Sequence, residues 1–198
     1  SYIHSKYIVI WACNSVSTNL HHWAIVNDAQ KKGAKVVVID SYKSRTAKLA
    51  DWHIMPKPGT DGALAMGIIN SIISNDLVDV DYVKKYTNGF EELKEHSITR
   101  TPDWASKITG ISKQDIEKLA LEIATSQPAA IRIGVALERH HGGGQTIRAV
   151  TCIPALTGAW KYVGGGITQF PVWEHPYKFD VICRPDLVPD NTRVINAL

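Results

Sequence analysis

Cysteine is scarce in this sequence: Cys13, Cys152 and Cys183 are the only three among 198 residues. They lie far apart and no C-x-x-C spacing occurs, so neither a zinc ribbon nor an iron–sulfur run is encoded here. Free thiols are the expectation. An excess of one charge sign is also missing. The formal net charge is +3, too small by itself to indicate a nucleic-acid partner. No run of 18 apolar residues occurs, so no membrane-spanning helix is expected. Ser1-Tyr2-Ile3-His4 shows neither the basic nor the apolar region of a signal peptide, although a longer parent protein can carry one upstream. No internal repeat is found.

What remains is the composition of a globular protein, 44% hydrophobic and 21% charged, long enough for one sizeable core. Short apolar runs rich in β-branched residues predict buried parallel strands at 7–11, 35–39, 53–55 and 129–134. Helical spacing predicts a helix over 21–32, closed by Gly33, and a helical turn over 46–51. A longer helix should run from Thr60 or Asp61 to Ser74, with Leu64, Ile68, Ile69, Ile72 and Ile73 on its apolar side. Small helices are expected over 76–110, with Tyr82 and Tyr86 on one helix face and Thr101-Pro102 as a cap and first helical residue. Ser112 and Asp115 form a capping-box pattern ahead of Ile116, Leu119, Ala120 and Ile123. A last helix is expected over 145–156. Gly164-Gly165-Gly166 should end the regular part, leaving an extended tail with Pro171, Pro176, Pro185 and Pro189. The fold class is therefore α/β: a doubly wound, mainly parallel, Rossmann-like sheet with helices on both faces. The domain occupies 1–166, and 167–198 form an extended C-terminal segment.

Ligands of such folds gather at the carboxyl ends of the strands. The loop after the first strand, Ala12 to Asn19, contains no glycine, so the G-x-G-x-x-G of a plain dinucleotide fold is missing. Asn14, Ser15, Ser17 and Thr18 stand there instead. They suit an anion at a helix start and suit equally an ordinary polar cap. Asp40 closes the second strand, where nucleotide folds use a carboxylate to accept ribose hydroxyls and where many strands simply turn. Asp61, in Pro58-Gly59-Thr60-Asp61, begins a helix. There a carboxylate favours the dipole, and it can also accept the N1 and N2 edge of a guanine. Two carboxylates on neighbouring strand ends suggest a purine nucleotide lying across the sheet edge. After the fourth strand, Gly134 leads to Arg139-His140-His141-Gly142-Gly143-Gly144, a cationic, glycine-bearing loop that suits a pyrophosphate or a solvated turn. Adjacent histidines rarely face one point, so no metal site is expected from His140 and His141. His21-His22 reads as helix surface.

The ordered set "GAKVVVID" (33–40), "TAKLADWHI" (46–54), "PGTDGAL" (58–64), "GFEEL" (89–93), "TPDWASKITGIS" (101–112) and "IRAVTCIPALTG" with "GGG" (147–158, 164–166) resembles the molybdopterin oxidoreductases of the dimethyl sulfoxide reductase and formate dehydrogenase type. The resemblance covers about residues 7–166. It implies a bis(molybdopterin guanine dinucleotide) cofactor with molybdenum or tungsten in a parent protein, and a domain that holds the guanosine end of one dinucleotide. By resemblance Asn14, Ser15, Thr18, Asp40, Gly59, Asp61, Gly134, Arg139, His140 and Gly143 are the cofactor-binding candidates. The sequence departs from the family at Asn14-Ser15, where Asn-Pro is usual, at Asp40-Ser41-Tyr42 for Asp-Pro-Arg, and at Ala136 for a glycine.

The family's metal ligand and cluster cysteines lie upstream of this region and the second half of the cofactor cradle lies downstream. The chain is thus expected to be an excised internal domain that carries no metal and no redox activity by itself. Its implied partners are the other domains of the parent enzyme and electron-transfer subunits, with no nucleic acid and no membrane span. The compartment is left open between the cytoplasm and periplasm of a prokaryote. Two other classes stay open: a noncatalytic scaffold that keeps the fold, and a nicotinamide-dependent dehydrogenase domain.

Overall fold

The computed structural model describes residues 1–169 and 177–193. A 3-10 turn over Tyr2–His4 leads into β1, Tyr7–Trp11. Two helices, α1 (Ser15–Thr18) and α2 (Leu20–Lys31), connect β1 to β2 (Lys35–Ile39). A short α3 (Arg45–Leu49) precedes β3 (Trp52–Ile54). Five helices follow: α4 (Asp61–Ser74), α5 (Val80–Tyr86), α6 (Phe90–Ser97), α7 (Pro102–Thr109) and α8 (Lys113–Thr125). The chain then returns as β4 (Ala129–Ile133), a 3-10 segment Val135–Arg139, α9 (Gly143–Leu156) and β5 (Gly166–Thr168). A final short helix, α10, spans Phe179–Cys183.

The strands are parallel and ordered β3-β2-β1-β4-β5. Because strand side chains alternate, each central strand feeds two cores. Tyr7, Val9, Trp11, Val37, Ile39, Ile131 and Ile133 join the large core with α4, α7, α8 and α9. Ile8, Ile10, Val36 and Val38 join a smaller one with Val26 and Ala29 of α2. The doubly wound reading is therefore correct, and α4 is its largest helical contributor, with Leu64, Ile68, Ile69 and Ile72 fully buried. Each such side chain contributes about 1.5–3 kcal/mol of burial.

The expected caps form. Thr101 accepts from the Trp104 N–H at 3.2 Å, with Pro102 at the first helical position. Ser112 accepts from the Asp115 N–H at 3.0 Å and donates its hydroxyl back to the Asp115 carboxylate at 2.7 Å. Tyr82 and Tyr86 pack ring on ring, 4.9 Å apart.

Four expectations differ from the structure. β3 begins at Trp52, and Met55 lies beyond it, because Ile54 is already paired with the last residue of β2. β4 ends at Ile133 rather than Gly134. The glycine run at 164–166 does not end the regular part: Gly166 opens β5, paired with Ala130 of β4. The tail was expected to be extended, but it contains α10 and a 3-10 turn at Pro185–Leu187. Pro171 and Pro176 lie outside the described residues.

Two polar clusters sit at the amino edge of the sheet and on the smaller-core face. Lys35 and the Tyr7 hydroxyl both bond Glu122 of α8, at 2.7 and 2.8 Å. Burial pushes the Glu122 carboxyl up, but these two bonds outweigh it and leave it below the usual carboxylate range. The Ser5 hydroxyl donates to the Gly164 carbonyl at 2.6 Å, and the Tyr2 hydroxyl bonds Thr168 of β5.

Candidate functional site

The carboxyl edge of the sheet is assembled from three loops. After β1 the chain turns sharply at Ala12, which adopts a left-handed conformation with φ 52°. Its N–H donates to the Ile39 carbonyl at 2.8 Å, holding the turn against β2. Asn14 then braces two loops. Its carbonyl oxygen accepts the Thr46 hydroxyl at 2.8 Å, and its amide donates to the Tyr42 hydroxyl at 3.2 Å. Ser15 is fully buried, with its hydroxyl 3.0 Å from His22 Nδ1 and 3.5 Å from Cys13 Sγ. The Thr18 hydroxyl donates back to the Asn14 carbonyl at 3.0 Å. Asn14 and Thr18 thus stand at the edge, whereas Ser15 points into the fold.

Asp40 follows β2 and is partly buried. Burial pushes its carboxyl up, and hydrogen bonds from the Ser41 and Tyr42 backbone and the Ser44 side chain pull it only part of the way back. Its N–H donates to the Ile54 carbonyl at 3.1 Å, which fixes it beside the end of β3. Asp61 opens α4, and its Oδ1 accepts the indole N–H of Trp11 at 2.7 Å. Trp11 is fully buried at the end of β1. The tryptophan therefore fixes this carboxylate from below, while the second oxygen has no partner among the described residues.

The loop after β4 closes the edge. Gly134 lies so near the β1 turn that an added Cβ would stand 1.9 Å from the Ala12 oxygen. A Cβ on Gly143 would stand 2.5 Å from the Glu138 carbonyl oxygen, so the return of the loop onto itself also requires glycine. His140 is exposed and lies over Gly59, its Nδ1 3.5 Å from where a Gly59 Cβ would be. The structure thus joins the Pro58-Gly59-Thr60-Asp61 loop to the histidine loop. Arg139 is exposed and has no hydrogen bond or ion pair among the described residues. Among those residues no three His, Cys, Asp or Glu side chains converge on a point fit for a metal ion.

His22 corrects the sequence reading. It is not helix surface but 9% exposed, whereas His21 is exposed. The signal was there: His22, Val26 and Ala29 recur at i, i+4 and i+7 and form the buried face of α2. Burial and the nearby Arg132 charge push the His22 imidazole down to about 4. Sequence reasoning also missed Trp11, Thr46 and Arg132. No periodicity announces the bonds that Trp11 and Thr46 make, because their partners are remote in sequence.

A cavity of about 820 Å³ lies elsewhere, between α4, α6 and α9. Met66, Phe90, Leu93, Trp104 and Cys152 make it apolar, and none of the predicted site residues lines it. The candidate site is the carboxyl edge of the sheet rather than this cavity.

The described strands, all parallel, with helices on both faces and polar side chains from three loops at their carboxyl edge, define a doubly wound α/β domain. The chain belongs to the molybdopterin oxidoreductase family, whose model matches residues 3–175. It is 43% identical over 190 residues to the probable oxidoreductase YoaE of Bacillus subtilis, a match covering 96% of this chain and 28% of that protein. It is 29% identical over 178 residues to the dimethyl sulfoxide/trimethylamine N-oxide reductase of Rhodobacter capsulatus, covering 82% of this chain and 21% of that protein. Among solved structures, acetylene hydratase from Pelobacter acetylenicus superposes with a TM-score of 0.78 at 32% identity, over 84% of this chain and 23% of that one. The chain therefore spans about a quarter of the length of the relatives it matches.

Proposed function

We propose that this domain holds the guanosine end of a molybdopterin guanine dinucleotide within a larger oxidoreductase. The observation that carries the reading is the Trp11–Asp61 bond, because it presents a fixed carboxylate at the sheet edge. An ionised carboxylate offers about four lone-pair sites. One goes to the indole, which leaves room for the N1–H and N2–H of a guanine. Asp40, on the neighbouring strand end, would take ribose hydroxyls, whose bonds offset the burial that its charge already bears. Asn14 and Thr18 would border the sugar side of the nucleotide. Gly59 and Gly143 keep backbone low near the nucleotide, and Arg139 and His140 would meet its phosphate or pterin oxygens.

The relatives support a cofactor role over a substrate role. One is named for dimethyl sulfoxide and trimethylamine N-oxide and another for acetylene, yet both match this same region. A region shared by enzymes of such different substrates serves what they have in common. When bound in the parent protein, the molybdenum or tungsten centre supplies two-electron redox or oxygen-atom chemistry. The chain's own residues bind and orient one end of the cofactor.

Calorimetry with GDP, GMP and NAD tests the reading. GDP and GMP are expected to bind, weakly, and in preference to NAD. Equal or stronger NAD binding would overturn the proposal and favour a nicotinamide domain. Asp61→Asn gives the residue-level test. Loss of a charge at a helix start should cost about 0.3–1 kcal/mol of stability. Loss of a charge-assisted pair to guanine should cost about 1.5–3 kcal/mol of binding. The asparagine keeps an acceptor for Trp11, so the fold should persist. A collapse of the thermal midpoint with unchanged preference for guanine over adenine nucleotides would assign Asp61 a purely structural role.

A further inference from the structure

Arg132 takes part in none of the hydrogen bonds above and enters them only through its charge on His22. On β4 its neighbours Ile131 and Ile133 enter the large core, so Arg132 faces the other side of the sheet. There it stands between its strand partners Ile10 and Thr168. It is 9% exposed, its Nε is buried without a hydrogen-bond partner, and no described carboxylate pairs with it. His22 is in the same state on the facing helix: 9% exposed, with Nε2 buried and unpartnered. The two belong to one cluster. The Arg132 charge acts on both His22 and Tyr2. The Tyr2 ring meets the His22 ring edge-on at 4.7 Å, and its hydroxyl reaches Thr168, next to Arg132 across the sheet.

A buried guanidinium without a counter-charge is costly, and so is a buried N–H without an acceptor. In the tautomer in which the Ser15 hydroxyl donates to His22 Nδ1, Nε2 is an N–H. The two orphaned nitrogens and the positive charge then suit a group with several acceptor oxygens and negative charge. The location agrees. Strand order reverses between β1 and β4, and open α/β sheets take ligands at such a switch point. The β1 loop carries no glycine with which to approach a phosphate, and the charge comes from the adjacent strand instead.

We propose that Arg132, with His22 Nε2 and the Tyr2 ring beside it, forms a binding site for a phosphate-class oxyanion at the β1/β4 switch point. The site lies on the sheet face opposite Asp61 and does not depend on the guanosine reading. A phosphoryl group of a bound nucleotide and free inorganic phosphate share this chemistry.

The test is a calorimetric titration of the chain with inorganic phosphate and with pyrophosphate, and an NMR titration that follows the histidine ring signals. Pyrophosphate is expected to bind at millimolar concentrations and to shift the His22 signals more than those of the exposed His21, His140 and His141. Arg132→Met should weaken binding by about tenfold or more, the scale of one charge-assisted contact. It should leave the thermal midpoint unchanged or raised, because an unpaired buried charge is removed. Arg132→Lys keeps the charge and should retain part of the affinity, and it serves as the second probe if the Met variant is poorly folded. No binding at millimolar pyrophosphate, unchanged affinity in both variants, or shifts confined to His140 and His141 would overturn the site. Competition between GDP and pyrophosphate identifies a nucleotide phosphoryl group as the source, and simultaneous binding identifies free phosphate. Asp61→Asn should leave pyrophosphate binding untouched, which separates this outcome from that of the guanosine reading.

Discussion

Gly134→Ala should be among the most damaging single changes in this chain, costing at least about 3 kcal/mol or preventing accumulation of folded protein. The reason is space, not backbone freedom. Gly134 has φ −95° and ψ 160°, a conformation open to any residue. Its Cβ, however, would stand 1.9 Å from the Ala12 oxygen, 2.7 Å from the Ala12 carbonyl carbon and 3.1 Å from Cys13 Cα. All three are backbone atoms. They cannot step aside, because the Ala12 N–H is bonded to Ile39 and the Gly134 N–H to Trp11, both at 2.8 Å. Relief would require parting β1 from β4 at the switch point. Gly144→Ala is the matched control. Nothing lies within 4 Å of that position, and it is inside α9, so alanine there should be neutral or stabilising by about 0.5–1 kcal/mol. Chemical denaturation of the two variants measures both. A Gly134→Ala midpoint equal to that of the parent chain would mean that the two loops do not touch as described.

The second large effect is acid destabilisation through His22. Its folded-state value is about 4, against about 6.5 when unfolded. A histidine whose folded value is lowered is held neutral by the fold. Its contribution is complete above about pH 6.5 and is lost as the pH falls toward 4, because the unfolded chain takes up the proton first. The span of the shift corresponds to roughly 3 kcal/mol, a large share of a typical domain's 5–15 kcal/mol. Glu122 acts in a lower window. Its carboxyl is depressed, so its contribution is lost only as the pH falls below the unfolded carboxylate range. Asp40 acts in the opposite sense, since its raised carboxyl favours the fold slightly as protons are added. Denaturation midpoints of the parent chain should therefore decline between pH 6.5 and 4. His22→Gln, which keeps an amide near Ser15 and cannot take up a proton, should flatten that decline. An equal slope in both would remove His22 from the account.

How much of this was legible in the sequence depends on the range of the interaction. β1 and β2 read clearly because Tyr7–Trp11 and Lys35–Ile39 are apolar on both faces. The capping residues Thr101 and Ser112 read clearly because their partners lie three residues away. β5 did not, since three residues starting with glycine carry no pattern and the strand exists only through pairing with β4. Asn14 and Asp40 were readable as polar residues after β1 and β2, and Asp61 as a helix start. What supports them was not visible. Trp11 is fifty residues from Asp61 and Thr46 is 32 from Asn14, and only the sheet brings them together. Ser15, a hydroxyl in a polar loop, could have faced either way, and its bond with His22 turns it inward.

The stitching of the first turn to the last strand has a consequence for how the sheet opens. Tyr2 reaches Thr168 and Ser5 reaches Gly164, so the turn that precedes β1 is tied to the edge strand β5. Local opening proceeds in contiguous cooperative units. A three-residue edge strand held by a turn from the other extreme of the sequence loses that support when the turn opens, so loosening residues 2–5 loosens β5 with them.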